Sequence, residues 1–142
     1  MRVNTAAIIT ALIASVSAAP VTGGNGIDAE ELIINDFAAR HQQDGSVVSV
    51  GLHITGHDAT NLECSKTDGV VLGEVYNCGD SKYSFSLVKG RFDTWGVHVY
   101  HRWGVASGVS GYRDVPTICR AGPLQTTDCT RTTPVWFYIG SV

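Results

Sequence analysis

The chain has 142 residues, with 10 Lys and Arg against 13 Asp and Glu, which leaves a net charge of −3 when the five histidines are neutral. A chain of this length makes one domain with enough interior for a real core. The acidic balance leaves no basic stripe to follow a phosphate backbone, which argues against nucleic acid as a partner.

The chain opens with MRVNTAAIITALIASVSAAP, in which one basic residue, Arg2, precedes an apolar run from Ala6 to Val16 and small residues at Ser17, Ala18 and Ala19. This is the pattern of a secretory signal peptide, expected to span residues 1–18 with cleavage after Ala18. The apolar run falls short of the roughly 20 residues a membrane-spanning helix needs, so no membrane insertion is expected. Residues 19–30 contain VTGGNGID and are expected to form a flexible lead, with a single domain over residues 31–142.

The stretch DAEELIINDFAAR, residues 28–40, carries two conflicting signals. Asp28 stands three residues before Glu31, as in a capping box, and Leu32, Ile33 and Phe37 have helical spacing. Read locally, helix and strand are equally supported. Further on, the apolar period is two. Val48, Val50, Leu52 and Ile54 share a parity, as do Tyr83, Phe85 and Leu87, then Trp95, Val97 and Val99, then Val135, Phe137 and Ile139. Such alternation describes half-buried strands. Turn clusters such as DGS, TGHD, CGDS and KGRFD separate them, so the fold class is all-β, a barrel or a sandwich. Gly104, Gly108 and Gly111 recur within WGVASGVSGY, where each weakens a strand unless a bulge or sharp coil needs it.

Cys64, Cys78, Cys119 and Cys129 include no C-x-x-C pair. Their even number and the expected export predict two disulfides. Three connectivities are open on the residues alone. Pairing neighbours would close short loops, each stabilising the fold by roughly 2 to 3 kcal/mol through the unfolded state.

Catalytic patterns are missing. Asp44, Asp58, Asp68, Asp80 and Asp93 sit in turn clusters, where Asp ordinarily bonds its own backbone. The sequence contains no G-x-S-x-G or H-E-x-x-H. His98 and His101 differ by an odd number and would point to opposite faces of a strand. His53, His57 and Asp58 could converge across a turn, but solvated turn histidines are the commoner outcome, so no metal, cofactor or catalytic residue is expected. Aromatic and arginine residues are more suggestive. Trp95, Tyr100, Trp103 and Tyr112, with Arg102 and Arg113, form a candidate partner-binding patch, because Trp, Tyr and Arg dominate interface energetics. Arg120, between two of the cysteines, is a further candidate contact.

NLECS, NCGDSKYSFSL, VHVYHRWGVASGVSGYRDVPTICRAG and TTDC, in that order and spacing, resemble the major Alternaria allergen family, and more closely its elicitor branch. The resemblance implies a compact antiparallel β-barrel, the pairing of Cys64 with Cys78 and of Cys119 with Cys129, and a strand rather than a helix at LIINDFAAR. It also implies a secreted, non-catalytic fungal effector or elicitor of the host apoplast. The implied partner is a plant extracellular protein, either a thaumatin-like defence protein or a receptor, and carriage of a flavonoid-like phenolic is the alternative. Two departures stand out. No cysteine precedes Cys64, which excludes the disulfide-linked dimer of the allergen, and Pro123 stiffens the loop between Cys119 and Cys129 where family members commonly have glycine.

Overall fold

The computed structural model describes residues 29–141. The expected signal peptide and all of the expected lead except its last two residues lie outside the described residues. Glu30 already belongs to the first strand.

Ten strands follow in order: β1 Glu30–Gln42, β2 Val47–Gly56, β3 Ala59–Lys66, β4 Val75–Asn77, β5 Tyr83–Lys89, β6 Trp95–Arg102, β7 Gly108–Val115, β8 Ile118–Ala121, β9 Thr126–Arg131 and β10 Val135–Ile139. One 3₁₀ turn, Pro123–Gln125, joins β8 to β9. The disputed first segment is a strand, and its helical look has a physical cause. Asp36 adopts a left-handed φ of 49°, and the pairing with β2 shifts register between Asn35 and Ala38. This bulge reverses the parity. Leu32 and Ile34 point inward before it, Phe37 and Ala39 after it, and all four are buried. A period-two strand with one bulge thus sets the buried residues Ile34 and Phe37 three apart, which imitates a helical face. A second shift, between Arg40 and His41, explains why Val47 is buried and Val48 only partly so, against the expected alternation.

The strands form two antiparallel sheets. The first has the order β3-β2-β1-β9-β8, with β10 pairing the N-terminal part of β1, and the second has the order β4-β5-β6-β7. Their facing sides bury Leu32, Ile34, Phe37, Leu52, Ile54, Tyr83, Phe85, Leu87, Val97, Val99 and Ile139 in one cluster. Each such side chain stabilises the fold by about 1.5 to 3 kcal/mol through the water it leaves. The result is a sandwich. The barrel implied by the resemblance is not closed, because the sheets are tied along their borders at single points. On one border the buried disulfide Cys64–Cys78 links β3 to the residue just past β4. On the other, one bridge joins Ser110 to Gly140. The second disulfide, Cys119–Cys129, spans directly opposed residues of β8 and β9. Among the described residues no helix is long and apolar enough to cross a membrane.

Candidate functional site

The border between β7 and β10 positions the site. Ser110 and Gly140 exchange both main-chain hydrogen bonds, each at 3.1 Å. Main-chain groups alternate sides along an antiparallel strand. Since β7 pairs continuously with β6, and β10 with β1, the groups of Tyr112 and Asp114 on β7 and of Trp136 and Tyr138 on β10 turn toward the same border as the bridge. Continued pairing would set Tyr112 opposite Tyr138 and Asp114 opposite Trp136. No ladder forms there. The strands part and leave a groove of two hollows that share Tyr112, Arg113 and Trp136 in their walls, about 360 Å³ beside Tyr138 and about 580 Å³ beside Arg91, Asp114 and Arg131. Gly111 sits at the hinge of this opening. A Cβ there would lie 2.6 Å from Ile139 Cγ2 and 3.0 Å from the Tyr138 carbonyl oxygen, so only glycine admits β10 this close.

The groove is aromatic and cationic. Trp136 and Tyr138 are 55% and 69% exposed, large values for such rings. Arg91, Arg113 and Arg131 line it, and among the described residues none of the three forms a salt bridge. Its two carboxylates are already engaged. Asp114 accepts hydrogen bonds from the Tyr112 hydroxyl and from the Arg91 amide, at 3.1 Å for the latter, and Glu31 accepts one from the Tyr138 hydroxyl at 3.0 Å. The Tyr112 hydroxyl, followed by the Arg91 amide, holds the Asp114 carboxyl below its usual range. The local charge therefore runs opposite to that of the whole chain.

The expected patch is divided. Tyr112 and Arg113 lie in this groove. Tyr100 lies on the outer face of the second sheet, stacked at 6.0 Å on His98, and small Ser84 and Ser86 are buried beside it. Arg102 ends β6 and Trp103 follows it, away from the groove, and Arg120 is exposed on β8 opposite Asp128. The Asp128 carboxylate is already held by Arg40, with contacts of 2.6 and 3.0 Å. Trp95 requires a correction. It is 3% exposed, because it shares the inward parity of Val97 and Val99, and it offers a partner no surface. Lys89 covers its ring at 4.4 Å. The groove also contains four residues that the sequence reading missed. Trp136 and Tyr138 were legible as the polar-side positions between Val135, Phe137 and Ile139, whereas Arg91 and Arg131 carry no local signal.

A second constellation lies at the other end of the sandwich. His101 is 2% exposed and has Glu30 Oε2 at 2.5 Å from Nδ1 and Asp58 Oδ2 at 3.2 Å from Nε2. Glu30 Oε1 also accepts the Tyr83 hydroxyl at 2.5 Å and the His57 amide at 2.8 Å. The Tyr83 ring stacks on His101 at 4.1 Å. A carboxylate oxygen stands at each ring nitrogen, so both nitrogens already face a partner within the protein. Burial opposes ionisation of Glu30, but the hydrogen bonds from Tyr83, His101 and the His57 amide outweigh it and hold the carboxyl below its usual range. Burial, then the bond to Glu30, pushes the Tyr83 hydroxyl well up. Beside the cluster, Trp103 and Val109 wall a concavity of about 700 Å³. His53 and His57 do not converge: His57 pairs with Asp58 at 2.9 Å, whereas the nearest carboxylate to His53 is that of Asp36, at 3.9 Å. Among the described residues no group of three or more His, Cys, Asp or Glu is arranged to hold a metal ion.

Comparison with known proteins adds relatives to this geometry. Residues 34–130 match the family described as Alternaria alternata allergen 1. The effector protein PevD1 of Verticillium dahliae is 34% identical over 113 residues, which cover 80% of this chain and 73% of PevD1. Two crystal structures of the Alternaria alternata major allergen Alt a 1 superpose with a TM-score of 0.61 each, at 22% and 23% identity. They cover 78% and 87% of this chain, and the matches extend over 90% and 94% of the allergen chains. At those identities the likeness concerns the fold.

Proposed function

Because the chain belongs to the Alternaria alternata allergen 1 family, we propose that it is a secreted fungal effector or elicitor that works in the host apoplast by binding a plant extracellular protein, without catalysis. The partner is a thaumatin-like defence protein or a receptor. The observation that carries this reading is the groove between β7 and β10, where Tyr112, Trp136, Tyr138 and three arginines, which form no salt bridge among the described residues, gather on one border of a disulfide-stapled scaffold. Exposed Trp, Tyr and Arg in one concave place are the residues that anchor protein interfaces. A relative named as an effector fits the same reading.

Co-precipitation from leaf apoplastic fluid tests it, with the wild-type protein beside a variant carrying Arg113→Glu and Trp136→Ala. A thaumatin-like or receptor protein is recovered with the wild type and lost with the variant. Equal recovery from both, or none from either, contradicts the reading.

A second reading, carriage of a flavonoid-like phenolic, draws on the concavity beside His101. Its volume of about 700 Å³ suits a small molecule, and Trp103 offers a ring to stack on while Glu30 and Asp58 offer acceptors for phenolic hydroxyls. Saturable quenching of tryptophan fluorescence by a flavonol, abolished by Trp103→Ala, supports it, and a flat titration removes it.

A further inference from the structure

We propose that the gap between β7 and β10 takes up an extended acidic segment of the partner protein as an added β-strand. This deepens the partner-binding reading above and rests on it.

The first support is the state of the two edges. After the Ser110–Gly140 bridge, the main-chain groups of Tyr112 and Asp114 face those of Trp136 and Tyr138 across the groove without a ladder between them. Exposed edges of this kind are templates for a further strand, and proteins ordinarily blunt them with lysine, proline or a bulge. Neither β7, GVSGYRDV, nor β10, VWFYI, contains lysine or proline, and both pair with their inner neighbours without a register shift. The prolines stand just beyond, at Pro116 and Pro134, where the groove ends. One strand between β7 and β10 would complete the pairing that the sandwich leaves open on this side.

Charge supplies the second support. Arg91, Arg113 and Arg131 flank the gap without salt bridges among the described residues, and the carboxylates within it are engaged by Tyr112 and Tyr138 hydroxyls. Guanidinium groups favour carboxylate partners over neutral ones. Alternation specifies the segment further. Tyr112, Trp136 and Tyr138 occupy the outward-facing positions of their strands, so outward side chains of an added strand lie among aromatic rings. Arg113 has the opposite parity, with Val109 and Val115, so the alternate side chains meet its guanidinium. The segment that fits alternates acidic with apolar or β-branched residues. The recognition mode is strand addition, in which main-chain bonds provide affinity and alternate side chains provide specificity.

The test uses the purified protein with both disulfides intact and the peptide acetyl-Thr-Glu-Val-Glu-Thr-Glu-amide, read by tryptophan fluorescence and amide hydrogen exchange. Binding is saturable, exchange slows at the Tyr112, Asp114, Trp136 and Tyr138 amides, and affinity falls at least about tenfold when Arg113→Glu and Arg131→Glu are combined. A fully N-methylated peptide of the same charge does not bind. Equal binding by that peptide, or by one with lysine in place of glutamate, overturns the proposal, as does binding of an oligogalacturonate where the peptide fails. If partner capture depends on Arg113 and Trp136 but the peptide does not bind, strand addition fails while the partner reading stands. If the peptide binds but capture ignores those residues, the partner reading fails instead.

Discussion

Glu30 offers the sharpest perturbation of the scaffold, because one carboxylate ties three elements together. It bonds Tyr83 of β5 at 2.5 Å, His101 of β6 at 2.5 Å and the amide of His57 in the β2–β3 turn at 2.8 Å. Glu30→Ala leaves a buried tyrosine hydroxyl and one nitrogen of a buried histidine without acceptors. A buried donor left without an acceptor costs about 1 to 3 kcal/mol. Two groups lose their acceptor while Asp58 still holds the other His101 nitrogen, so about 3 kcal/mol is expected here. For a domain of this size that lowers Tm by roughly 12 °C. The loss also depends on pH. The Glu30 carboxyl is held below its ordinary value of 4.5, so the unfolded chain binds more protons in that range. Its contribution is complete above about pH 4.5 and disappears as pH falls through the folded value. Urea unfolding of wild type and variant between pH 7 and pH 3 measures both effects. The difference should be widest at neutral pH and narrow on acidification, with the Asp114 and Asp128 contributions cancelling because both proteins keep them. A difference below about 1 kcal/mol at pH 7, or one that stays constant down to pH 3, would refute the reasoning.

Three further predictions follow from the fold. Replacing Cys64 and Cys78 by serine reopens a loop with a sequence separation of 14 and should cost about 3 kcal/mol in denaturant unfolding, and the Cys119–Cys129 pair, with a separation of 10, slightly less. Gly111→Ala places a methyl 2.6 Å from Ile139, so β10 must move and stability should fall by about 1 to 3 kcal/mol, with faster amide exchange at Ser110 and Gly140. Arg113→Glu lies on an exposed border and should leave Tm within about 2 °C of wild type, which is what qualifies it as a binding probe.

The match between sequence and structure varies with the kind of information a residue carries. Alternation located β5, β6 and β10 because the large apolar residues of each keep one parity. It failed at β1 and at the start of β2, where bulges at Asp36 and at Arg40–His41 reverse the parity and no residue type announces them. Trp95 shows two signals in competition. Its neighbours in the sequence suggested an exposed aromatic patch, but its parity with Val97 and Val99 placed it in the core, and parity prevailed. Of the groove's aromatic and arginine residues, Tyr112 and Arg113 were legible. Trp136 and Tyr138 were present in the alternation of VWFYI but had no apparent use until the fold set β10 beside β7. Arg91 and Arg131 belong to turns and strand ends 40 residues apart, and only the meeting of the two sheets brings them together. The open border itself was invisible, since a pattern of half-buried strands is the same for a closed barrel and for a sandwich.

The central claim, that a plant meets this protein through the folded border between β7 and β10, is tested most directly by infiltrating leaves with three purified proteins: the wild type with both disulfides intact, the Arg113→Glu, Arg131→Glu variant at matched Tm, and the wild type reduced and alkylated. An oxidative burst and cell death are expected from the first alone. A variant as active as the wild type, or an alkylated chain as active as the folded one, would contradict it.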